Sequence, residues 1–368
     1  MKGMKLNWLP LGFVLSYHLL LIALAPFAFG QLNAAAWLGF LITYVIGGLA
    51  ITAGYHRLYA HNSYQAHPAF EWAVLILSTL AFQWSALMWS HDHRLHHNHV
   101  DTDKDPYSVK KGFWHAHVLW LFTYRRDFQP QIVNDLLKNR RVVLQDRHYL
   151  LLAIVVNAAV LGIASLFMPL LAALWAVILL RIFAIHHCTW FINSLAHTWG
   201  AHTYARELSA VDNAIVAFLT FGEGYHNYHH AFATDYRNGI RWYHFDPTKW
   251  LVWTAARLGL ASKLRTMQRV RIQKALLSKD KKLFIDRLSH EADELADDLL
   301  ARIEQLSASF ESNATALART LRDLRSASKN QRHLMRIEIR RLRRELRATW
   351  KAWVSLTRWA SNRYSIQA

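Results

Sequence analysis

Met88-Trp-Ser-His-Asp-His-Arg-Leu-His-His-Asn-His-Val-Asp-Thr-Asp-Lys-Asp-Pro-Tyr107 contains an H-x-x-H-H box made by His93, His96 and His97. An α-helix advances about 100° per residue, so His97 lies roughly 40° from His93, and His96 roughly 60° to its other side. All three imidazoles leave one face within a turn. The same spacing returns at His226, His229 and His230, inside Gly224-Tyr-His-Asn-Tyr-His-His230. A third cluster, His56-Arg-Leu-Tyr-Ala-His61, sets its histidines five apart. That is about 140° around an α-helix, so this pair needs a helix end or must embrace a site from two sides. Eight histidines are too many for one four-coordinate zinc ion. They suit two imidazole-bound transition-metal ions, and iron is the natural candidate where redox chemistry is needed.

Composition narrows the rest. The 368 residues carry a formal charge of +18, which implies a basic surface facing anionic lipid, an acidic protein or an anionic cofactor. No groove-reading motif is present, so no nucleic-acid partner is expected. The single cysteine, Cys188, excludes an internal disulfide and a cysteine-held iron–sulfur cluster.

The apolar residues gather in long runs. Leu6–Gly30 and Ala34–Thr52 are each about the length that crosses a bilayer and read as a transmembrane hairpin turning at Gly30-Gln-Leu-Asn33. A second hairpin runs over Leu150–Phe167 and Leu170–Ile185, turning at Met168-Pro169. Both tips lack charge, and the Lys/Arg-rich segments lie at the opposite ends, so the termini and large loops are expected to be cytoplasmic. Trp72–Ser90 is long enough to tempt a fifth crossing. A crossing there would put His56 and His93 on opposite sides of the membrane, so this stretch is expected in a cytoplasmic cap or along the interface. The expected architecture is all-α, with four spans at about 6–30, 34–53, 150–167 and 170–190. Residues 1–261 form the membrane domain, and 262–368 form a basic helical extension.

Near the fourth span, His186, Asn193 and His197 share one helical face. His197 lies at the depth where His56 emerges and is expected as a ninth ligand, with Asn193 one turn back holding a water. His186 and His187 lie deeper, where ionisable residues favour a supporting role. From Ser262 onward 24 Lys/Arg face 12 Asp/Glu. Leu283, Leu288, Leu295, Leu299, Ile303 and Leu306 make a helical stripe, and Arg332–Arg347 is a basic helix followed by Trp350, Trp353 and Trp359. This tail is either a helical hairpin packed on itself or a surface for a membrane or partner.

The boxes H-R-L-Y-A-H, H-D-H-R-L-H-H and G-E-G-Y-H-N-Y-H-H, with N-S-L-A-H between the last two, resemble the membrane fatty-acid desaturases, chiefly the stearoyl-CoA or acyl-CoA Δ9 type and its bacterial counterparts. The flanks Ile51-Thr-Ala-Gly, Asp105-Pro-Tyr, Lys111-Gly-Phe-Trp and Asp235-Tyr are similar too, and the resemblance covers about Gly47 to Lys263. It implies four spans under a cytoplasmic cap in a membrane protein, expected at the bacterial inner membrane, and a di-iron centre. The implied ligands are His56, His61, His93, His96, His97, His197, His226, His229 and His230, and Asn193 matches an asparagine that holds a metal-bound water. A histidine opening the third box favours the Δ9 branch over the front-end enzymes. Family members that bind CoA carry an Asn-Asp pair and an arginine before the second box. Here those positions hold Trp84, Ser85 and His91, with Asp92 retained. A CoA headgroup would then need Lys110, Lys111, Arg125 or Arg126. CoA is the first carrier expected and a phospholipid the second.

An unactivated methylene has no acidic proton and no leaving group, so the chemistry demands dioxygen and a metal oxidant. By family analogy the acyl chain enters a narrow apolar tunnel bounded by the second span. Its face below His56 carries Thr52, Leu49, Val45, Ile42 and Leu38, of which Leu38, Ile42 and Val45 are the expected substrate contacts. No bound haem or flavin is expected, so the electrons come from a separate ferredoxin, rubredoxin or cytochrome b5-type protein. The competing readings are an acyl-lipid desaturase, a membrane di-iron hydroxylase, and a non-enzymatic membrane scaffold.

Overall fold

The computed structural model describes residues 6–124, 126–289 and 294–364; Arg125 lies outside the described residues. The chain is mostly helical. Among the described residues its one sheet is a two-stranded antiparallel pairing of Gln65–Ala66 with Ala261–Ser262. It forms two compact units, one of Met1–Thr203 with Glu207–Thr266, the other of Met267–Ala368 with Tyr204–Arg206.

The first unit opens with α1 (Trp8–Ala28) and α2 (Ala34–Ala50). Asn33 caps α2 by accepting from the Ala36 amide at 2.9 Å, which satisfies a donor the helix start leaves open. Alanines 28, 36, 164, 172, 173 and 176 are fully or almost fully buried where the helix tips meet. Small side chains let apolar helices approach closely where no hydrophobic force separates helix from lipid. Three helical stretches are long and apolar enough to cross a membrane: Trp8–Gln31, Ala34–Ala60 and Leu170–His197. The third includes α7 (Arg181–Ser194). Two bent pairs pass only as pairs. One is Pro68–Ala81 with Ala86–His99, bent by 80°; the other is Arg140–Arg147 with Tyr149–Ala164, bent by 77°.

Trp72–Ser90 is therefore not one helix. It breaks between α3 (Pro68–Leu77) with its 3₁₀ extension and α4 (Ala86–His99). Phe82 and Trp84 have φ of 50° and 68°, a left-handed conformation uncommon for bulky residues and characteristic of functional walls. Ser85 restarts the chain as N-cap of α4, accepting from the Met88 amide. Its hydroxyl also donates to Asp146 at the end of α5 (Arg140–Arg147), which leads into α6 (Tyr149–Ala164). Arg181 is buried in the third apolar stretch, and its guanidinium is satisfied by Val177 and Leu80 carbonyls and by Asn157 Oδ1. Such pairing is what an ionisable group in an apolar layer requires.

α2 continues without a break into a π-helical segment, Ile51–Ala60. The short helices α8 (His226–Ala231) and α9 (Pro247–Arg257) follow near the end of the unit. In the second unit α10 (Arg269–Leu288), α11 (Glu294–Asp323) and α12 (Lys329–Arg363) share one core. Leu283, Leu288, Leu299 and Ile303 of the sequence stripe are buried there with Trp353. Leu295 and Trp359 stay exposed, and Leu306 and Trp350 are half-buried against the core.

Candidate metal centre

The π-helix decides how the first box works. In an i→i+5 helix residues five apart stack, and the His61 amide donates to the His56 carbonyl at 3.1 Å. The two rings stand 4.7 Å apart. His61 is the C-cap residue of this segment, so the pair does sit at a helix end, and the wider turn places both imidazoles on one side. α4 presents His93, His96 and His97, α8 presents His226, His229 and His230, and a 3₁₀ turn after α7 presents His197.

Eight of the nine rings fall into two quartets. His56, His61, His93 and His229 offer nitrogens all within 4.8 Å of one another, as do His96, His197, His226 and His230. His97 joins the first through its Nε2, 3.0 Å from His229 Nε2. Nε2 atoms face Nε2 atoms throughout: 2.8 Å for His61–His93, 3.1 Å for His56–His229 and 3.1 Å for His197–His226. His226, His229 and His230 have pKa values well below the ordinary imidazole value, because burial and then their neighbouring histidines oppose a charge. Neutral rings with converging lone pairs are the donor set that a pair of cations satisfies. The residues fit two imidazole-bound metal ions.

The opposite ring nitrogens are held from outside. His96 Nδ1 is 2.9 Å from Asp105 Oδ1, and His197 Nδ1 is 2.7 Å from Ser209 Oγ. A donated Nδ1–H fixes the tautomer that points the Nε2 lone pair inward. His56 Nδ1 lies 2.8 Å from Glu223 Oε2, off the line of a good ring hydrogen bond. Glu223 is in turn bound by Arg57 Nη2 at 2.8 Å and by Asn238 at 2.6 Å. Arg57 reaches Asp246 Oδ1 at 2.9 Å and the Tyr236 carbonyl at 2.7 Å. Burial pushes the Glu223 carboxyl up, but His56 and Arg57 outweigh it and hold it below its ordinary range. Histidine spacing did not reveal Arg57, Glu223 and Asp246. The available signal was Arg57 inside a histidine box at the end of an apolar run, with an acid three residues before the third box.

An apolar cavity of about 400 Å³ reaches this cluster and is lined there by His56, His93 and His226. Its size is within the usual range of small-molecule sites, about 300–1,000 Å³. Phe82, Trp84 and Phe221, all with positive φ, shape its wall. Three lining residues are joined by hydrogen bonds: Trp89 Nε1 donates to Gln83 Oε1 at 3.3 Å, and Gln83 Nε2 donates to Thr189 Oγ1 at 2.9 Å. Asn193 lines the same cavity.

The expected contacts along α2 need correction. Leu38, Ile42 and Val45 do not line the cavity, and Leu38 and Ile42 are 57% and 47% exposed on the outer side. Thr52 of the extrapolated face does line it, and the other lining residues of this stretch, Ile51, Gly48 and Tyr44, lie one position earlier than the α-helical extrapolation from His56. The π-helix inserts the equivalent of one residue, and one residue is about 100° of rotation. Gly48 is required there, because a Cβ would stand 2.1 Å from the Phe221 ring.

Two of the four expected headgroup cations already have partners within the fold. Arg126 grips both oxygens of Asp92 at 2.6–3.0 Å. Lys111 holds the Asp103 and Asp105 carbonyls, Lys110 is exposed and does not line the cavity, and Arg125 lies outside the described residues. His91 is buried between Asp92 and the Gln129 amide. His186 pairs with Tyr17 and the Ala81 carbonyl, while His187 bridges His18 and His117, so neither enters the two quartets.

The sequence model of a family described as "Fatty acid desaturase" matches residues 33–262. The chain is 40% identical over 289 residues to "Probable acyl-CoA desaturase" of Schizosaccharomyces pombe, covering 77% of this chain and 59% of that protein. It is 35% identical over 288 residues to "Acyl-CoA desaturase 1" of Saccharomyces cerevisiae, covering 75% and 55%. It is 33% identical over 264 residues to "sn-1 stearoyl-lipid 9-desaturase" of Anabaena variabilis, covering 71% and 94%. The chain thus spans less than two thirds of the length of the two yeast relatives.

Proposed function

The chain belongs to the fatty acid desaturase family, and from that premise we propose that it introduces a cis double bond, at the Δ9 position, into a saturated fatty acyl chain. The observation that carries this reading is the apolar cavity whose wall includes His56, His93 and His226. An alkyl chain lying there passes the imidazole cluster. In balance, the chain gives up two hydrogens while dioxygen, two electrons and two protons become two waters. The nine histidines would hold two iron ions, which would supply the oxidant that an unactivated carbon pair requires, and Asn193 would serve as a water-holding residue. The protein residues do the positioning. The Gln83–Thr189 pair holds two lining side chains in place, the aromatic walls exclude water, and Tyr44 bounds the cavity on α2.

The reading places four helical segments across the membrane, namely the three long apolar stretches and α6, with the histidine cluster and termini on the cytoplasmic side. Residues 1–261 act as the catalytic domain, and an external electron-transfer protein supplies the electrons. Acyl-CoA is the proposed substrate. A lipid-bound chain is the second reading, supported by the pairing of Arg126 with Asp92, which leaves that guanidinium little capacity for a phosphate. The test is expression in a host that makes no unsaturated fatty acids, with products located by mass spectrometry. A Δ9 alkene supports the proposal; an alcohol would indicate a hydroxylase, and metal-free inactive protein a scaffold. Assays of purified enzyme on acyl-CoA and on phospholipid separate the carriers.

Tyr44 donates to the Leu219 carbonyl at 2.5 Å and reaches Cys188 Sγ at 3.2 Å, closing that side of the cavity. Tyr44→Ala is expected to shift preference toward longer chains, by about fourfold per extra methylene at about 0.8 kcal/mol per buried CH₂. Competition between chain lengths reads this directly. An unchanged profile would remove Tyr44 from the cavity end.

A further inference from the structure

α12 carries eleven Lys/Arg and two acidic residues between positions 329 and 363, and it lies beyond the matched family region. At about 100° per residue, Arg332, Arg336, Arg340, Arg343, Arg347 and Lys351 fall within an arc of about 100°, and Arg358 continues the row. All are exposed, and none forms an ion pair with the described residues. The two acids, Glu338 and Glu345, lie on the far side of the helix, where both bind Arg341. The core residues Leu342, Leu346 and Trp353 occupy the third side. The cationic row is therefore neither a packing face nor a self-neutralised surface. Beside it stands Ile337, 49% exposed, while Leu334 and Trp359, 67% and 46% exposed, lie farther round toward Arg341.

We infer that this row is a docking surface for the anionic headgroups of a lipid bilayer. Over 26 residues it extends about 39 Å in a straight line, whereas a standard protein interface of about 800 Å² covers a disc roughly 30 Å across. A plane of anionic headgroups matches a long straight row of cations. An exposed aliphatic side chain beside a row of cations suits a membrane interface. The first unit has three helices long and apolar enough to cross a membrane, so the covalent connection keeps α12 at high effective concentration near one. The inference rests on the proposed membrane placement and not on the chemistry of the histidine site.

The test uses the full chain in lipid nanodiscs, with Cys188→Ser and Ser355→Cys carrying an environment-sensitive fluorophore beside the row. In discs of phosphatidylcholine mixed with phosphatidylglycerol, emission should shift blue and rise severalfold relative to phosphatidylcholine alone. High salt should reverse the change, because it screens exposed charges. The quadruple reversal Arg336→Glu, Arg340→Glu, Arg343→Glu and Arg347→Glu should abolish it with helix content unchanged. The lipid comparison on the unreversed row stands even if that variant misfolds. Equal emission in both discs overturns the inference, as does a response only to an acidic soluble protein or to DNA. A chain that never enters discs overturns the membrane reading itself.

Discussion

His96→Ala should remove bound metal and abolish formation of unsaturated product. His96 sits in the second quartet with its Nδ1 tied to Asp105, and its Nε2 lies 3.4 Å from His230 Nε2. Alanine deletes a donor outright and leaves the Asp105 carboxylate buried with only the Tyr107 amide and nearby dipoles. Loss of an outer partner of a metal-binding histidine typically costs about 10–100-fold in affinity or activity. Loss of the histidine itself should exceed that, while Asp105→Asn should fall inside it. Metal content by mass spectrometry and rescue of the unsaturated-fatty-acid-deficient host are the two readouts. Full rescue by the alanine variant would break the assignment of the cluster.

Glu223→Ala carries the second large effect, chiefly on stability. Glu223, Arg57 and Asp246 form a buried triad with 3%, 2% and 0% side-chain exposure. Removing Glu223 leaves Arg57 paired with Asp246 but strips the Arg57 Nε and one Nη2 hydrogen bond of their acceptor in a dry environment, at about 1–3 kcal/mol for each buried polar group left unmet. The same change frees His56 Nδ1 and the Asn238 amide, so metal affinity should fall as well. The sign with pH follows from the depressed Glu223 carboxyl. Its contribution to stability is present above the ordinary carboxylate pKa and is lost as pH falls through the lower folded value. Thermal unfolding in detergent, with parallel metal analysis, checks both parts. A melting temperature equal to that of the parent protein would refute the triad's structural role.

Much of the centre was legible because histidine is rare in apolar segments and the H-x-x-H-H spacing has a simple helical geometry. That spacing brings His93, His96 and His97 together on α4, and His226, His229 and His230 together on α8, whatever surrounds them. Arg57 was harder to read, since an arginine at the end of an apolar run can equally anchor a span at the interface. Its role appears only when Glu223 and Asp246, more than 160 residues away, close around it.

The sequence by itself determined that this chain has long apolar helices, three histidine clusters and a highly basic tail, since hydropathy and α-helical spacing are local properties. Tertiary structure decided the π-helix at Ile51–Ala60, and with it the pairing of His56 with His61 and the cavity face at Tyr44, Gly48 and Ile51. It also committed Arg126 to Asp92. An i→i+5 turn is intrinsically rare. Here it is held where Tyr64 donates to the Ala53 carbonyl and Ser63 donates to the Arg57 carbonyl, while Arg57 is gripped by distant acids. Contacts of that kind exist only once the chain has folded, and periodicity has no way to count them.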